Sequence, residues 1–411
     1  MQSNALPTTW FGRPMHAGSY EVWHQWQRVG YGPGAASLVT EDLDRLGVKR
    51  PFLITNRSLV SSVLLGDVMT AIGRPCAGVF AEVVPHCPIE TVLQASAEAM
   101  AAGADGVVTF GSGSCSDTGK GIALAIGCGF TTLKDFTPYQ LNRDGRLQAE
   151  LPWRNAPLPQ VAIPTTLSGA ELSGYVGLTD TTSRVKHSYS GKGLAPNTVL
   201  LDPKLTIATP RRLWASTGIK TLSDATEYLA STAGNPIVDV LCLSGLGRFT
   251  AYLESSLSGD LDSRLQCQLA AWMVIFGNLN TGVRGGLGAS LRHQLGSQFG
   301  APHGEIASVL LPALLTHNLP ATPHLQKPLA ASMSLPFPVD AADAEVGRMV
   351  ISFVASLIVK LGLPTQLRDI GVTRDGLREV AKKAVSTRSM VGSPRPEVSE
   401  ADVCELLESV Y

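Results

Sequence analysis

Short apolar, β-branched runs alternate with amphipathic stretches over about residues 50–205. Strands buried on both faces of a parallel sheet show such continuous apolar runs, whereas helices show apolar positions three and four residues apart. The runs are PFLIT (51–55), AGVFAEVV (77–84), GVVTF (106–110), QVAIP (160–164) and TVLLD (198–202). Helix-length segments lie between the first three runs, near 60–72 and 89–103. The pattern predicts βαβ units, and hence a parallel sheet with right-handed crossovers.

Beyond residue 202 the strand pattern stops and helical periodicity begins. Helices are predicted near 211–232, 262–279, 284–298, 304–316, 341–362, 374–389 and 399–409. We therefore predict an α/β domain over 1–203, in which 1–26 form an N-terminal extension, and an all-helical domain over 204–411. Within the first domain, NRDG at 142–145 predicts a hairpin that leaves the sheet.

Composition and charge exclude several classes of protein. Of the 411 residues 44% are hydrophobic and 16% charged, so the chain is not disordered. The 33 basic and 34 acidic residues leave a formal charge of -1, which provides no field to attract nucleic acid. The apolar run 349–359 is about half the length that crosses a bilayer, and the N-terminus lacks the features of a signal peptide. We expect a cytoplasmic protein that binds neither nucleic acid nor a membrane.

Cysteine content and aromatic residues add two expectations. The seven cysteines form an odd set without a CxxC pair, which favours reduced thiols over disulfides or a zinc site. A charge-poor chain with an aromatic N-terminal extension has apolar surface that one monomer cannot cover, so we expect a homodimer. The aromatic residues are Trp10, Phe11, Tyr20, Trp23 and Trp26.

A glycine-rich segment, GSGSCSDTGK, directly follows the predicted strand 106–110 and precedes an apolar helix. Glycines let the backbone approach a phosphate, and the free N–H groups and positive dipole end of a helix attract the anion. The segment predicts a pyrophosphate site, and thus a dinucleotide-binding domain. Its predicted ligands are Gly111, Ser112, Gly113, Ser114, Asp117 and Lys120. The alternative is an ordinary glycine-rich turn in which Asp117 is only a first-turn residue.

The end of the predicted strand 51–55 bears on the choice of dinucleotide. The strand runs into Asn56 and Arg57, where a dinucleotide site usually has an acid for the ribose hydroxyls. Without an acid at this position, the 2′-phosphate of NADP is not repelled, and Arg57 could pair with it. The alternative interpretation of Arg57 is an ordinary loop arginine exposed to solvent. We therefore expect NADP to bind at least as well as NAD.

Polar residues also follow the predicted strand 160–164. Thr165, Thr166 and Leu167 offer hydroxyl and backbone groups that could line a nicotinamide or a substrate carboxylate. The alternative is that they are turn residues and helix caps.

Two histidines lie near a predicted helix break in the second half of the chain. His293 and His303 flank a glycine-containing segment and could converge on one cleft. Such a pair is more often structural than catalytic, so both interpretations stay open.

Taken together, these motifs resemble the iron-containing alcohol dehydrogenase superfamily from about residue 27 to the C-terminus. The matching segments are GSGSCSDTGK, IPTTLSGAE, PNTVLLDP, TPRRLWASTGIKTLSDATE, RHQLGSQFGAPHG and SPRPEVS. RHQLGSQFGAPHG and SPRP are most similar to maleylacetate reductases, which reduce a carbon–carbon double bond conjugated to a keto acid with NADH or NADPH. The resemblance implies a Rossmann-like N-terminal domain, a helical C-terminal domain and a cleft between them.

The chain departs from the superfamily at the metal ligands. Metal-using members hold the ion with an aspartate and three histidines, and the matching positions here are Lys220, Asp224, Ala289 and His303. One imidazole and one carboxylate beside an ammonium do not supply the three or four unprotonated donors that iron or zinc needs. We therefore expect no catalytic metal.

Lys220 and Asp224 are four residues apart and share one face of a predicted helix. As a structural ion pair they would contribute about 0.2–0.5 kcal/mol. Alternatively, the Lys220 ammonium replaces the metal, stabilising negative charge on a reacting oxygen, with Asp224 orienting it and His293 as the proton donor.

Three functions remain open from the sequence. The leading hypothesis is a metal-independent NAD(P)H-dependent reductase or dehydrogenase of a small oxo acid or enone. The second is a non-redox lyase, isomerase or cyclase that reuses the cleft, with Lys220, Asp224 and His293 as acid–base groups. The third is a nucleotide-binding regulatory protein.

Overall fold

The computed structural model describes residues 9–10, 13–14, 27–141, 148–183 and 185–411. Within the predicted N-terminal extension, Thr9–Trp10 (β1) pairs antiparallel with Arg13–Pro14 (β2), and the rest of the extension lies outside the described residues. The hairpin predicted at 142–145 also lies outside them.

A parallel sheet forms the centre of the first half of the described chain. Its strands are Arg28–Tyr31 (β3), Pro51–Ile54 (β4), Gly78–Phe80 (β5), Gly106–Gly111 (β6), Gln160–Pro164 (β7) and Thr198–Leu201 (β10). The order in the sheet is β3-β10-β7-β6-β4-β5, and each pair is parallel. The five predicted strands are confirmed, and β3 is an addition at one edge. From β4 the chain turns first to β5 on one side and then to β6 on the other, so a crevice opens at the carboxyl ends of β4 and β6, where ligands bind in such sheets.

Helices cover both faces of this sheet. They are Val39–Arg45 (α1), Arg57–Val60 (α2), Val63–Ile72 (α3), Ile89–Ala101 (α4), Gly113–Cys128 (α5) and Leu133–Phe136 (α6). Side chains of β6 alternate between the two faces: Val108 and Phe110 pack with α1 and α3, and Val107 packs with α4 and α5. The helix α5 begins at Gly113, two residues after β6 ends, so its N-terminus lies at the carboxyl end of that strand.

An antiparallel hairpin, Tyr175–Asp180 (β8) and Val185–Ser190 (β9), stands beside the sheet. Val176, Leu178 and Tyr189 pack with α5 in one apolar cluster. The alternating burial of β8 is typical of a strand with one covered face. The sequence analysis did not identify this hairpin.

The second half of the described chain is helical. Its helices are Arg211–Ala230 (α7), Pro236–Tyr252 (α8), Leu261–Thr281 (α9), Leu287–Phe299 (α10), His303–Asn318 (α11), Gln326–Ser332 (α12), Asp343–Lys360 (α13), Leu377–Ala384 (α14) and Glu400–Ser409 (α15). The predicted fold class, a parallel sheet followed by a helical domain, is confirmed. The periodicity missed α8 because its apolar residues are not confined to one face, since Ile237 and Val240 are exposed while Val238 is buried. Within the described ranges, we find no helix with both the length and the apolar character needed to span a bilayer.

The two halves share one apolar core. Ala162 of β7 and Val199 of β10 belong to the same buried cluster as Trp214 of α7 and Val274 of α9. The loop after β7 is therefore held directly against α7, which positions it between the sheet and the helical half.

Candidate active site

The turn from β6 into α5 forms a cradle that needs glycine. Gly111 has φ 150°, and a Cβ there would lie 2.5 Å from Cys115 Sγ. A Cβ at Gly113 would lie 2.5 Å from Ser168 Oγ. The first N–H groups of a helix have no partner within it, and in the described structure the Ser112 side chain forms no capping bond to them. The turn offers a close approach to the backbone, and the binding of a pyrophosphate by Gly111, Ser112, Gly113 and Ser114 stays a prediction.

Lys120 does not belong to this cradle. Its side chain is 1% exposed, and its Nζ lies 2.8 Å from Asp117 Oδ1. The same Nζ donates to the carbonyl of Ala170 at 2.7 Å and to that of Tyr175. An ammonium has three donors, and these contacts use all of them. Lys120 is therefore a structural cation, which corrects the prediction that it binds the cofactor, while the cofactor role of Asp117 stays a prediction.

An acidic side chain, Glu82, lies close to Asn56 and Arg57. Asn56 caps α2 by accepting a hydrogen bond from Leu59 N at 3.2 Å, and it also forms a bridge with Glu82, which follows β5. The exposed guanidinium of Arg57 pairs with the Glu82 carboxylate. No acid ends β4, as expected, but the neighbouring strand β5 brings the Glu82 carboxylate to Arg57. The binding of NADP at least as well as NAD stays a prediction.

Thr165, Thr166 and Leu167 connect the cradle to the helical half. Thr165 N donates to Gly111 O at 2.9 Å, and Thr166 Oγ1 lies 3.3 Å from Ser168 Oγ. Leu167 O accepts a hydrogen bond from Thr221 Oγ1 of α7 at 2.7 Å. These bonds place all three residues between the phosphate cradle and α7, and their binding role stays a prediction.

Lys220 and Asp224 form the predicted ion pair on α7, with Nζ 2.7 Å from Oδ2. The Lys220 side chain is 22% exposed, and its Nζ lies 3.4 Å from Ser168 O. Arg292 of α10 pairs with the other oxygen of Asp224 and, at 3.0 Å, with Glu227. The sequence analysis quoted Arg292 within a motif but gave it no role. Arg292 is buried between the carboxylates of Asp224 and Glu227, so it fixes the position of Asp224 beside Lys220.

The third metal position of the superfamily, Ala289, takes part in the same cluster through its backbone. Ala289 N donates to Glu227 Oε2 at 3.0 Å, and Gly286 N donates to the same oxygen at 2.7 Å. No set of three or more histidine, cysteine, aspartate and glutamate side chains in the described ranges is arranged to hold a metal. The residues present do not fit a divalent ion, since both Asp224 oxygens are engaged by cations and Lys220 offers an ammonium.

The two predicted histidines converge, and a third joins them. The ring centroids of His293 and His303 lie 5.5 Å apart, and that of His86 lies 5.7 Å from His303. The sequence analysis missed His86, which lies in the β5–α4 loop at a positive φ of 65°. Loss of solvation and the charge of Lys186 lower the pKa of all three imidazoles, although His293 itself is accessible to solvent. The three rings are therefore mostly neutral at pH 7.

Glu171 is a buried acid that the sequence analysis also missed. It lies in the 170–172 turn, is 2% exposed, and its Oε2 has no hydrogen-bond partner in the part of the chain that the structure describes. Burial raises its pKa to about 7, against the opposing charge of Lys120 and Lys220. The carboxyl group is half protonated near neutrality.

Comparisons with known proteins match this architecture along nearly the whole chain. The family model for iron-containing alcohol dehydrogenase covers residues 27–203, and that for the C-terminal part of the Fe-containing alcohol dehydrogenase family covers 214–411. Maleylacetate reductase of Burkholderia cepacia is 29% identical, over 93% of this chain and 95% of its own. 4-Hydroxybutyrate dehydrogenase of Cupriavidus necator is 31% identical, over 91% of this chain and 96% of its own length.

Solved structures support the same assignment. A 1,3-propanediol oxidoreductase superposes with a TM-score of 0.85 at 26% identity, over 96% of this chain and 100% of its own. Maleylacetate reductase from Agrobacterium tumefaciens superposes with a TM-score of 0.76 at 26% identity, over 96% of this chain and 99% of its own length. Since family models match both halves of the chain, and a relative that is 31% identical covers nearly all of it, the protein belongs to the iron-containing alcohol dehydrogenase family and is an NAD(P)-dependent oxidoreductase.

Proposed function

We propose that the protein is a metal-independent, NAD(P)H-dependent reductase of a small oxo acid or enone, similar to maleylacetate reductase. The observation that carries this proposal is the Lys220 ammonium, accessible and held 2.7 Å from Asp224 Oδ2. It occupies the position of the first metal ligand of the family. A cation fixed there stabilises the negative charge that develops on the reacting oxygen when hydride reaches the substrate.

The charges around Lys220 support this role. The two carboxylates of Asp224 and Glu227 face the two cations Lys220 and Arg292, so the formal charges of the cluster balance. Lys220 pairs with one carboxylate oxygen of Asp224, and Arg292 pairs with the other. The two contacts hold the carboxylate in place, and the carboxylate in turn holds the ammonium. Preorganised donors of this kind cost no rearrangement during the reaction.

The bound dinucleotide supplies the hydride, and the protein supplies the cation and the proton. Lys220 stabilises an alkoxide if a carbonyl is reduced, or an enolate if a conjugated double bond is reduced. His293 is uncharged at pH 7 because its pKa is depressed. It donates a proton from one ring nitrogen while the other nitrogen takes one from water, so that the ring stays neutral throughout. The product is an alcohol in the first case and a saturated carbonyl compound in the second.

Cofactor oxidation and metal content together test this function. NADH and NADPH oxidation is followed with a panel of short oxo acids and enones, before and after treatment with a chelator. We expect turnover with at least one of them, substoichiometric iron, zinc and nickel by elemental analysis, and no loss of rate on chelation. Stoichiometric metal that leaves together with activity would contradict the metal-independent mechanism. Cofactor binding without oxidation would favour the non-redox lyase, isomerase or cyclase.

A further inference from the structure

Lys186 is a cation that the proposed chemistry does not use. It lies on β9 directly opposite Thr179 of β8, and is half-buried. Val176, Leu178 and Tyr189 on the same hairpin point into the apolar cluster on α5. Since neighbouring residues of a strand face opposite sides, Lys186 and Gly177 belong to the other face of the hairpin.

That face is fixed against the histidine cluster. Thr179 Oγ1 donates to His86 O at 2.6 Å, and Thr179 N donates to Cys87 O at 2.9 Å. The hairpin thus holds the loop that carries His86, whose ring lies 5.7 Å from that of His303. On its other side, β9 contacts α10, the helix that carries His293. Lys186 is therefore placed among the three imidazoles by backbone contacts on both sides.

Lys186 differs from the other cations of the site in forming no ion pair with an acid that the structure describes. Lys120 pairs with Asp117, and Lys220 and Arg292 share Asp224. In the described ranges Lys186 forms no ion pair, and the charged groups that sense it electrostatically include all three histidines. The neighbouring rings are mostly neutral, so they do not screen it. Among the described residues, the positive charge of Lys186 therefore has no compensating carboxylate in an ion pair.

Gly177 determines where the Lys186 side chain lies. The lysine stem crosses the glycine, and a Cβ at Gly177 would collide with Lys186 Cε and lie 3.1 Å from Nζ. A glycine here exposes backbone in a strand, which is unfavourable unless something packs closely on it. The close approach confines the ammonium to the side of the hairpin that faces the imidazoles.

We propose that Lys186 binds a carboxylate of the substrate and thereby selects a carboxylated carbonyl compound over a neutral aldehyde or enone. The helix that carries His293, α10, contacts both β9, which carries Lys186, and α7, which carries Lys220. The charges of both lysines also act on His293, so the two ammonium groups flank one site. One cation holds the carboxylate and the other meets the reacting oxygen. The inference rests on the proposed function for the reaction, but the binding of a carboxylate does not require hydride transfer.

A matched pair of substrates tests the selection. 4-Oxobutanoate and butanal have the same chain length and aldehyde, and differ in the carboxylate. For Lys186→Gln we expect KM for 4-oxobutanoate to rise about 10- to 100-fold, as for the loss of one charge-assisted hydrogen bond, with KM for butanal and both kcat values within about threefold. Gly177→Ala should raise KM for the acid in the same direction, because it displaces the lysine without removing the charge. Lys192→Gln, an exposed lysine just beyond the hairpin, serves as the control.

Direct binding separates this inference from the proposed function. Malonate, succinate and glutarate are titrated calorimetrically into the enzyme saturated with NADP+, with the corresponding diamides as neutral controls. We expect saturable binding of at least one dicarboxylate, weakened at least tenfold by Lys186→Gln and unchanged by Lys192→Gln. Turnover failure with retained, Lys186-dependent binding would overturn only the reductase proposal. Binding of no dicarboxylate, or equal losses for acid and aldehyde in the kinetics, would overturn the role of Lys186.

Discussion

Two lysine–aspartate pairs face the same loop from opposite halves of the molecule. On α5, Lys120 lies 2.8 Å from Asp117 and donates to the loop at Ala170 O. On α7, Lys220 lies 2.7 Å from Asp224 and reaches the loop at Ser168 O. The residue types and the helical spacing are nearly the same. What differs is access: Lys120 is 1% exposed and has all three donors occupied, whereas Lys220 is 22% exposed.

The spacing of a lysine and an aspartate on a helix therefore does not show whether the lysine is structural or catalytic. A buried ammonium with saturated donors can only hold the structure together, and its removal leaves buried acceptors without partners. An accessible ammonium with an orienting carboxylate can meet a substrate. The same substitution at the two positions should therefore affect different properties of the enzyme.

The largest expected effect is the loss of stability on Lys120→Ala. Removing one partner of a fully buried ion pair costs about 3–5 kcal/mol. The Asp117 side chain is 16% exposed, so we expect a loss toward the lower end of that range, with the carbonyl groups of Ala170 and Tyr175 also left without their donor. We expect a clearly lower Tm by scanning calorimetry, with kcat of the folded enzyme within about threefold of the wild-type value. If the variant instead kept its Tm and lost cofactor binding, Lys120 would be a residue of the phosphate site.

The next effect is on turnover, in Lys220→Ala. Loss of one preorganised donor lowers kcat by about 10²–10³-fold, while cofactor affinity stays nearly intact because the phosphate cradle lies on α5. Lys220→Arg should recover only part of the rate, since the planar guanidinium directs its donors differently. Steady-state kinetics and cofactor titration check both variants. A lower Tm with turnover within about threefold would show that this pair, too, is structural.

A smaller effect concerns cofactor choice, at the edge of the sheet. Glu82→Gln removes the acid that pairs with Arg57 and frees the guanidinium for a 2′-phosphate. We expect the ratio of the Kd values to shift about five- to tenfold toward NADPH, the scale of one charge contact near the surface. Fluorescence titration of both cofactors measures it, with Arg57→Gln expected to shift the ratio in the opposite direction. An equal change for NADH and NADPH would contradict this account.

The smallest effect is a pH dependence of stability from Glu171, the buried acid between the two lysines. Its pKa in the folded protein, about 7, lies above the ordinary value of 4.5. Its contribution to stability is therefore complete below pH 4.5 and is lost as pH rises through 7. Glu171→Gln should gain Tm relative to wild type as pH increases from 5 to 8. Histidine titrations are common to both proteins and cancel in this difference, so parallel Tm curves would place the pKa near its ordinary value.

Much of the fold follows from local patterns. The apolar runs that became β4, β6 and β7 are contiguous, and the turn at Gly111 depends on backbone geometry that neighbouring residues set. The hairpin of β8 and β9 was missed because apolar and polar residues alternate only weakly along β8. Gly177 has no side chain at a position where a polar residue would have marked the outer face of the strand. In the site, the Lys220–Asp224 pair was predictable because helical spacing alone brings four-residue neighbours together.

Local sequence patterns were sufficient to predict the parallel sheet, the glycine-rich turn, the helical second half and one ion pair. The packing of distant elements was needed to bring Glu82 to Arg57, Arg292 to Asp224, and Lys186 within electrostatic reach of three histidines. The physical reason is that backbone conformation is set by neighbours along the chain, whereas the partner of a charge is set by distance in space. Whether a lysine is buried and saturated, or accessible and available for chemistry, depends on elements far apart in sequence.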